Sequence, residues 1–186
     1  MTRTAAGLAL TVGRIFCVIL DYGGTLAPYD APIDPALGMR PVAADAVEAL
    51  YTFREARLRL VLASNTQPEQ DRRLALRAAG VEKLFSVVLQ SAQLGVAKPS
   101  LTFYAMAIAA AQSSPHRIVW VGDNIQTDAL GPARHGMQAV LIRPTGLRDG
   151  EVQPFGVHLA RDMASAAQPI VSSPNAFMEQ ANDGRR

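Results

Sequence analysis

The sequence predicts an α/β protein in which helices cover a central parallel sheet. Segments with strand-like and helix-like patterns alternate along most of the chain, as in folds built on parallel sheets. The first strand-like segment, residues 15–20, is continuously apolar, as expected for a strand buried on both faces. The chain has 186 residues, 49% of them hydrophobic, which suits one domain with a sizeable core.

The elements follow from the apolar spacing and from the residues that stop helices. After the strand over 15–20, residues 27–41 contain four prolines and are expected to form an irregular loop. The pattern then predicts helices over 42–57, 68–79, 99–111 and 126–135, strands over 58–63, 85–89, 118–121 and 139–142, and a short strand and helix over 157–159 and 160–167. We therefore expect a single domain over residues 1–167, followed by a C-terminal tail over 168–186.

The composition argues against several classes of protein. A formal net charge of +2 is too small to indicate nucleic-acid binding, although the pI is about 9.0. The apolar segments 5–12 and 15–20 are shorter than the ~18 residues of a membrane span. The single cysteine, Cys17, suits a reducing compartment, so we expect a cytoplasmic protein. Trp120 is expected in the core. The following arginines are expected on solvated helix faces: Arg54, Arg57, Arg59, Arg72, Arg73 and Arg77.

Polar side chains follow three of the predicted strands at the point where each strand ends. Asp21 follows the first strand, Ser64 the second and Asp123 the fourth, with Asp128 five residues further on. Lys98 stands just before the third helix. Because ligands of open parallel sheets bind at the carboxyl ends of the strands, we expect these side chains to converge.

Each of these groups has a task in phosphoryl transfer. A carboxylate can attack phosphorus and form an aspartyl-phosphate. Mg²⁺ requires oxygen ligands, which carboxylates and a backbone carbonyl supply. A serine hydroxyl and a lysine ammonium can bind the phosphate oxygens and offset their charge. Glycines after Asp21 allow the backbone to approach the phosphate closely.

In this order the motifs resemble those of the haloacid dehalogenase-like superfamily, whose members are mostly Mg²⁺-dependent phosphatases. That family has DxDGT after strand one, Ser or Thr after strand two, then Lys, often followed by Pro, and finally GDxxxxD. The sequence has DYGGTL at 21–26, ASN at 63–65, VAKPS at 96–100 and GDNIQTD at 122–128. The resemblance covers residues 15–142 and implies a Rossmann-like, three-layer α/β/α sandwich with a central parallel sheet and a minimal or absent cap.

The resemblance implies a Mg²⁺ site. Asp21 matches the nucleophile, which is also a metal ligand, and Asp123 matches a second ligand. Gly23 stands where the backbone carbonyl also binds the metal, and Asp128 matches the supporting carboxylate of the metal group.

The resemblance also implies a phosphate site. Ser64 and Lys98 match the pair that binds the phosphate and completes the catalytic set with the nucleophile. Gly24, Thr25 and Asn65 match residues around the bound phosphate. The implied substrate is a phosphorylated small molecule or a phosphoprotein.

The sequence departs from the family at Gly23, where the family has the aspartate that acts as general acid and base. Such catalysis is typically worth about 10²–10⁴ in rate. Tyr22 is a poor substitute, because adjacent side chains along a strand point to opposite faces. Asp30 and Asp34, in the loop after the first strand, are the candidate surrogates.

The leading hypothesis is a phosphohydrolase or phosphotransferase that uses Mg²⁺ and an aspartyl-phosphate at Asp21. The loss of the acid matters least for good leaving groups, such as those of acyl and aryl phosphates. The alternative is a weak or inactive relative that binds metal and phosphate and works through a protein partner. With no cap, the site should be open unless a homo-oligomer or another partner covers it.

Three further interpretations are weaker. Haloacid dehalogenases proper use no metal, whereas Asp123 and Asp128 are retained here. Phosphonate-cleaving relatives depend on a cap lysine that this sequence does not provide. In response-regulator receivers the acidic pair precedes the phosphoacceptor, which is the reverse of the order in this chain.

Overall fold

A six-stranded sheet, in which every neighbouring pair of strands is parallel, forms the centre of the molecule. The structure, a computed structural model, describes residues 14–172. The strands are β1 (Cys17–Leu20), β2 (Arg59–Ser64), β3 (Val87–Gln90), β4 (Ile118–Gly122), β5 (Gln138–Ile142) and β6 (Val157–Ala160). Their order across the sheet is β3-β2-β1-β4-β5-β6. The predicted parallel sheet is confirmed.

Helices cover both faces of this sheet. One face carries α1 (Ala44–Glu55), α2 (Arg72–Ala78) and α6 (Met163–Ser172), and the other carries α4 (Leu101–Ala111). The short helices are α3 (Ser91–Leu94) and α5 (Gly131–Arg134). The three-layer, Rossmann-like sandwich implied by the resemblance is therefore present. No helix within residues 14–172 combines the length and the apolar character that crossing a bilayer requires.

Strand β1 is buried on both of its faces, as its apolar run predicts. Val18 and Leu20 belong to the core beneath α1, whereas Cys17 and Ile19 belong to the core beneath α4. All four side chains are completely buried. Because side chains alternate along a strand, this two-sided packing fixes how β1 meets the edge of the sheet, and Asp21 follows at that edge.

Strands β1 and β4 are neighbours in the sheet although they are far apart in the chain. Leu20 pairs with Val121, and the Asp21 N–H donates to the Val121 carbonyl at 2.9 Å. After β1 the chain continues to β2 on one side, and after β4 it continues to β5 on the other. This divergence makes a topological switch point, where α/β proteins bind their ligands.

The chain between β1 and α1 is a loop, with no inserted domain among the described residues. Asp34 and Met39 form an isolated antiparallel bridge within it. The Arg40 Nε donates to the carbonyls of Tyr29 and Ala31, at 3.0 and 2.9 Å. These bonds hold the loop in a defined shape beside the switch point.

The sequence predicted a helix that starts at Pro68, but helix α2 begins at Arg72. Asp71 is the N-terminal cap, and its Oδ1 accepts from the Arg73 N–H at 3.0 Å. The Gln90 side chain, from β3, donates to the same oxygen at 2.8 Å. A contact from the sheet thus decides where the helix starts, and the chain before it forms a turn.

Two other helices differ from their predicted bounds. The helix expected over 126–135 consists of a π-helix, Ile125–Leu130, followed by α5. The helix expected over 160–167 is Met163–Ser172, so residues 168–172 of the expected tail are helical. The remaining tail, 173–186, and the apolar segment 5–12 lie outside the described residues. The single-domain division of the chain stays a prediction.

Candidate active site

The ammonium group of Lys98 lies between two carboxylates at the carboxyl edge of the sheet. Its Nζ donates to Asp21 Oδ1 and to Asp128 Oδ1, both at 2.8 Å. Lys98 is 5% exposed and Asp128 only 1%. Burial disfavours the charged lysine, but Asp21 and Asp128 outweigh it and hold the pKa of Lys98 above its ordinary value. Lys98 is therefore a fixed cation at neutral pH.

Asn65 fixes the backbone of Lys98. The Asn65 Nδ2 donates to the Lys98 carbonyl, and the Lys98 N–H donates to Asn65 Oδ1, both at 2.9 Å. Both polar atoms of the Asn65 side chain are thereby engaged. In this structure Asn65 therefore orients Lys98.

Asp128 is held by protein donors on both of its oxygens. Oδ1 accepts from Lys98 and from the Trp120 indole N–H at 3.1 Å, and Oδ2 accepts from the Asn124 N–H at 3.1 Å. Trp120 is a core residue, as expected, but its hydrogen bond to Asp128 was not foreseen from the sequence. The geometry favours a supporting role for Asp128, which fixes Lys98 opposite Asp21.

Asp123 is the one of the three carboxylates that forms no ion pair among the described residues. Burial, together with repulsion from Asp21 and Asp128, raises the pKa of Asp123 to about 6. Its backbone carbonyl accepts from the Arg143 Nη1, and Arg143 is ion-paired with Glu151 at 2.7 Å. Arg143 was not foreseen from the sequence, where its only signal is an arginine directly after the buried strand β5.

The carboxylates form a group that fits a divalent cation. Asp21, Asp123 and Asp128 each offer an oxygen, and these oxygens lie within 4.8 Å of one another. Lys98 is the one cation among residues 14–172 that is ion-paired with this group. Burial also raises the pKa of Asp21, and Asp128 adds to that effect. An all-oxygen set with excess negative charge is the donor chemistry that Mg²⁺ prefers.

Two hydroxyl groups border the same edge. Ser64 is 1% exposed, and its Oγ donates to the Asn65 carbonyl at 3.2 Å. Thr25 is buried, and its Oγ1 has no hydrogen-bond partner among the described residues. Thr25 and Asp123 both line an open pocket of about 650 Å³. Thr25 thus lies near Asp123, and Ser64 lies at the end of β2, next to β1 in the sheet.

Gly24 is required by the close approach of the loop. Its φ is +70°, and a Cβ at this position would come within 2.5 Å of the Tyr29 ring and 2.6 Å of Asp123 Cγ. Its N–H donates to the Ala27 carbonyl at 2.9 Å, so that group closes the turn. Gly24 therefore contributes space at the site.

Tyr29 occupies the region into which a side chain at position 23 would project. A Cβ on Gly23 would lie 3.5 Å from the Tyr29 hydroxyl, an ordinary contact distance. Tyr29 is 58% exposed, but its hydroxyl lies beside Asp123, and burial of that group together with the charges of Asp123, Asp21 and Asp128 raises the pKa of Tyr29 to about 12. The hydroxyl therefore keeps its proton at neutral pH. Tyr29 was not foreseen from the sequence, because no residue pattern in the loop after β1 indicates that the loop folds back over Gly23.

The surrogate acids named from the sequence differ in position. Tyr22 points away from the site, as expected, and its hydroxyl donates to the Arg40 carbonyl at 2.6 Å. Asp34 Oδ1 accepts from the Ala36 N–H at 2.8 Å and so belongs to a turn. Asp30 lines the 650 Å³ pocket that Asp123 also lines. Of the two aspartates, Asp30 is the better placed.

Arg72 contradicts the expectation of a solvated helix face. It is only 9% exposed, and its guanidinium carbon lies 4.4 Å from the centre of the Tyr22 ring. Arg73 and Arg77 are exposed as expected, and both pair with Glu82. The late start of α2 explains the difference, because it makes Arg72 the first helical residue and turns it towards the sheet.

The fold and the site together define a Rossmann-like α/β protein with a lysine-bridged acidic site at its switch point. The family model of haloacid dehalogenase-like hydrolases matches residues 33–136. The chain belongs to the haloacid dehalogenase-like hydrolase family.

Individual relatives show how far this similarity extends. The chain is 35% identical over 116 residues to a phosphoserine phosphatase of Thermus thermophilus, covering 61% of this chain and 46% of the relative. It is 37% identical over 99 residues to the haloacid dehalogenase-like hydrolase domain-containing protein 3 of Xenopus laevis, covering 52% and 39%. The chain thus spans less than half the length of these curated relatives.

A solved structure shares the fold. The HAD phosphatase from Thermococcus onnurineus superposes with a TM-score of 0.66 at 18% identity, covering 83% of this chain and 97% of that one. At that identity the similarity shows the fold alone.

The raised pKa of Asp123 predicts that the metal-free protein loses stability as the pH rises. Aspartate in the unfolded chain titrates near pH 4, so the folded state binds more protons until the pH passes about 6. The raised pKa of Asp21 acts in the same direction. For Asp123 the shift corresponds to at most about 3 kcal/mol of unfolding free energy. Melting temperatures in a chelator should be higher near pH 5 than near pH 7.

The D123N variant should flatten this dependence and be the more stable protein near pH 7. An unchanged pH slope in D123N would contradict the assignment of the effect to Asp123.

Removing the Lys98 charge should destabilise the fold at neutral pH. The Lys98→Met variant keeps an unbranched apolar stem but leaves Asp21 and Asp128 buried without their cation. Breaking a buried pair in this way typically costs about 3–5 kcal/mol. Denaturant unfolding should show this loss near pH 7 and a smaller one at acidic pH, where the carboxylates bind protons. Lys83→Met, at the exposed second lysine, is the matched control, and an equal loss there would contradict the prediction.

Proposed function

We propose that the protein is a Mg²⁺-dependent phosphohydrolase or phosphotransferase in which Asp21 is transiently phosphorylated. The observation that carries this proposal is the pairing of Asp21 with the buried Lys98 ammonium, beside a second carboxylate, Asp123. The similarity to a phosphoserine phosphatase supports a phosphate ester as substrate. The substrate is a phosphorylated small molecule or a phosphoprotein.

Asp21 is the nucleophile of the proposed reaction. Lys98 holds Asp21 Oδ1 and so fixes the carboxylate at the end of β1. Attack by a carboxylate oxygen forms the bond to phosphorus and breaks the bond from phosphorus to the leaving oxygen. Water, or an acceptor hydroxyl, then attacks the phosphorus and restores the Asp21 carboxylate. When water is the acceptor, the two steps together hydrolyse the ester. When a hydroxyl is the acceptor, they transfer the phosphoryl group to it.

Mg²⁺ would be held by the carboxylates of Asp21 and Asp123 and by the Gly23 carbonyl, with Asp128 as the supporting carboxylate. When bound, the ion supplies positive charge that offsets the charge on the phosphoryl oxygens. Asp128 contributes through Lys98, since both of its oxygens already accept hydrogen bonds from the protein.

The remaining phosphoryl oxygens would be bound by the Lys98 ammonium and the Ser64 hydroxyl. Asn65 keeps Lys98 in place through its two backbone contacts. Thr25 offers a buried hydroxyl without a partner among the described residues. Gly24 leaves the space that a Cβ would fill.

The leaving oxygen would meet the Tyr29 hydroxyl. With a pKa raised to about 12, Tyr29 can donate a hydrogen bond but is a weak acid. This arrangement favours substrates whose leaving oxygen needs little protonation, such as aryl and acyl phosphates. Asp30 is the candidate base for the hydrolytic step.

The proposed nucleophile is tested with an aryl phosphate and Mg²⁺. The wild-type protein should hydrolyse the ester. Asp21→Asn should lower kcat by at least about 10³-fold, because no other carboxylate is placed to form the bond to phosphorus. Asp149→Asn, at an exposed position, is the control for the effect of a lost surface charge. More than a tenth of the wild-type rate in D21N would contradict the assignment.

The same experiment decides the alternative function. Gly23, in place of the family's acid and base, favours a protein that binds metal and phosphate and works through a partner. Mg²⁺ binding by calorimetry, without turnover of any phosphate ester, would establish that alternative in place of the enzyme.

Restoring a carboxylate at position 23 should raise the turnover of alkyl phosphates. A Cβ at position 23 meets only the Tyr29 side chain, which is 58% exposed and can move aside for the carboxylate, so Gly23→Asp should fold and gain about 10²-fold on an alkyl phosphate, whose leaving oxygen needs a proton. The gain on an aryl phosphate should be much smaller. Gly23→Ala adds the Cβ without the acid and is the matched control. An equal gain in G23A would contradict the proton-transfer explanation.

A further inference from the structure

Arg72 is a buried cation whose charge is only partly offset, because the Asp21 carboxylate acts on it without forming an ion pair and burial still lowers the pKa of Arg72. Its Nε donates to Ser64 Oγ at 3.4 Å and its Nη2 to Gln70 Oε1 at 3.1 Å, both neutral acceptors. Within residues 14–172 no carboxylate forms an ion pair with it. The guanidinium also stacks on the Tyr22 ring. A buried charge that lacks a paired opposite charge is unfavourable, so its presence points to an anion that binds there.

A small pocket opens on this guanidinium. It has a volume of about 130 Å³ and lies between the loop after β1 and the start of α2. Its lining includes Arg72, Arg40, Gln70, Gly23 and Tyr29, and it contains no carboxylate among the described residues. The pocket is therefore cationic, and Gly23 and Tyr29 connect it to the active site.

We propose that this pocket binds a second anionic group of the substrate, a carboxylate or a phosphate carried by the leaving group, and that Arg72 recognises it. A guanidinium offers two parallel N–H groups that match the oxygens of either anion. This inference rests on the proposed function, because Ser64 and Lys98 must first place the phosphoryl group.

The geometry also limits the length of the substrate. Ser64 contacts the Arg72 guanidinium and is a proposed phosphate ligand, so the two anion sites are adjacent. The substrate should therefore join its two anionic groups through a short linker.

The larger pocket of about 650 Å³ is a poorer candidate for this role. Its lining combines three arginines with four aspartates: Arg143, Arg148 and Arg161, and Asp30, Asp45, Asp123 and Asp162. Mixed charges of this kind do not select an anion, whereas the cationic lining around Arg72 does.

The test measures binding, with Mg²⁺ present, of non-hydrolysable phosphonates by calorimetry. Phosphonopropionate and methylenebisphosphonate carry a second anion of the carboxylate and phosphate type, and propylphosphonate carries none. The wild-type protein should bind at least one of the first two about tenfold or more tightly than propylphosphonate, and their ranking identifies the preferred anion. In Arg72→Gln this preference should fall by at least about tenfold.

Arg73→Gln is the matched control, since Arg73 is the exposed neighbour paired with Glu82; it should keep the wild-type preference. Arg72→Lys keeps the charge without the paired donors and should retain part of the preference. It also serves as the test variant if R72Q does not fold.

Three results would overturn the proposal: no preference for a second anion in the wild-type protein, no binding of any of the three phosphonates, or an equal loss of all three ligands in R72Q. An equal loss of all three ligands would mean that Arg72 binds the transferred phosphoryl group instead. Because the readout is binding, a failure to hydrolyse phosphate esters would refute the proposed function and leave this result unaffected.

Discussion

The contact between the Lys98 ammonium and the carboxylates of Asp21 and Asp128 is the interaction on which the site depends. Each partner comes from a different part of the sheet edge: Asp21 follows β1 and Asp128 follows β4. Asn65, after β2, holds the lysine backbone, and Trp120, within β4, holds Asp128. Three central strands therefore have to be in register before the lysine can meet both carboxylates, so the geometry of the site is a property of the assembled sheet.

The two sides of this edge carry opposite excess charge. On the β4 side, Lys98 is ion-paired with Asp21 and Asp128, Arg143 and Arg148 offset the charge of Asp123 only in part, and burial raises the pKa of both Asp21 and Asp123. On the β2 side, Arg72 is buried without a carboxylate partner among the described residues. A substrate anion coordinated by a cation would neutralise both sides at once. Binding of such a ligand would restore the stability that these incompletely balanced charges cost the free protein, a trade-off that functional sites commonly show.

The sequence predicted the residues whose position follows from the ends of strands. Asp21, Ser64 and Asp123 each come directly at the end of a buried apolar run, and the parallel order then brings them to one edge. Tyr29 and Arg72 escaped prediction for a different reason. Tyr29 lies in an irregular loop whose path depends on distant contacts made by Arg40, and the inward direction of Arg72 depends on where Asp71 and Gln90 begin α2. When contacts between distant parts of the chain decide where a long side chain points, the neighbouring sequence shows no periodic pattern that could predict it.

The π-helix after β4 makes this part of the chain sensitive to its length. In Ile125–Leu130 the turn is wider than that of an α-helix, and Asp128 leaves it in the direction of Lys98. A π-helical turn holds one residue more than an α-helical turn, so deleting one residue between Asn124 and Asp128 would restore α-helical winding and change the direction in which Asp128 leaves the turn. A chain shortened by one residue at this point would keep both the lysine and the aspartate and yet lose the contact between them. A gap of one residue in an alignment would then be as informative as the replacement of the aspartate.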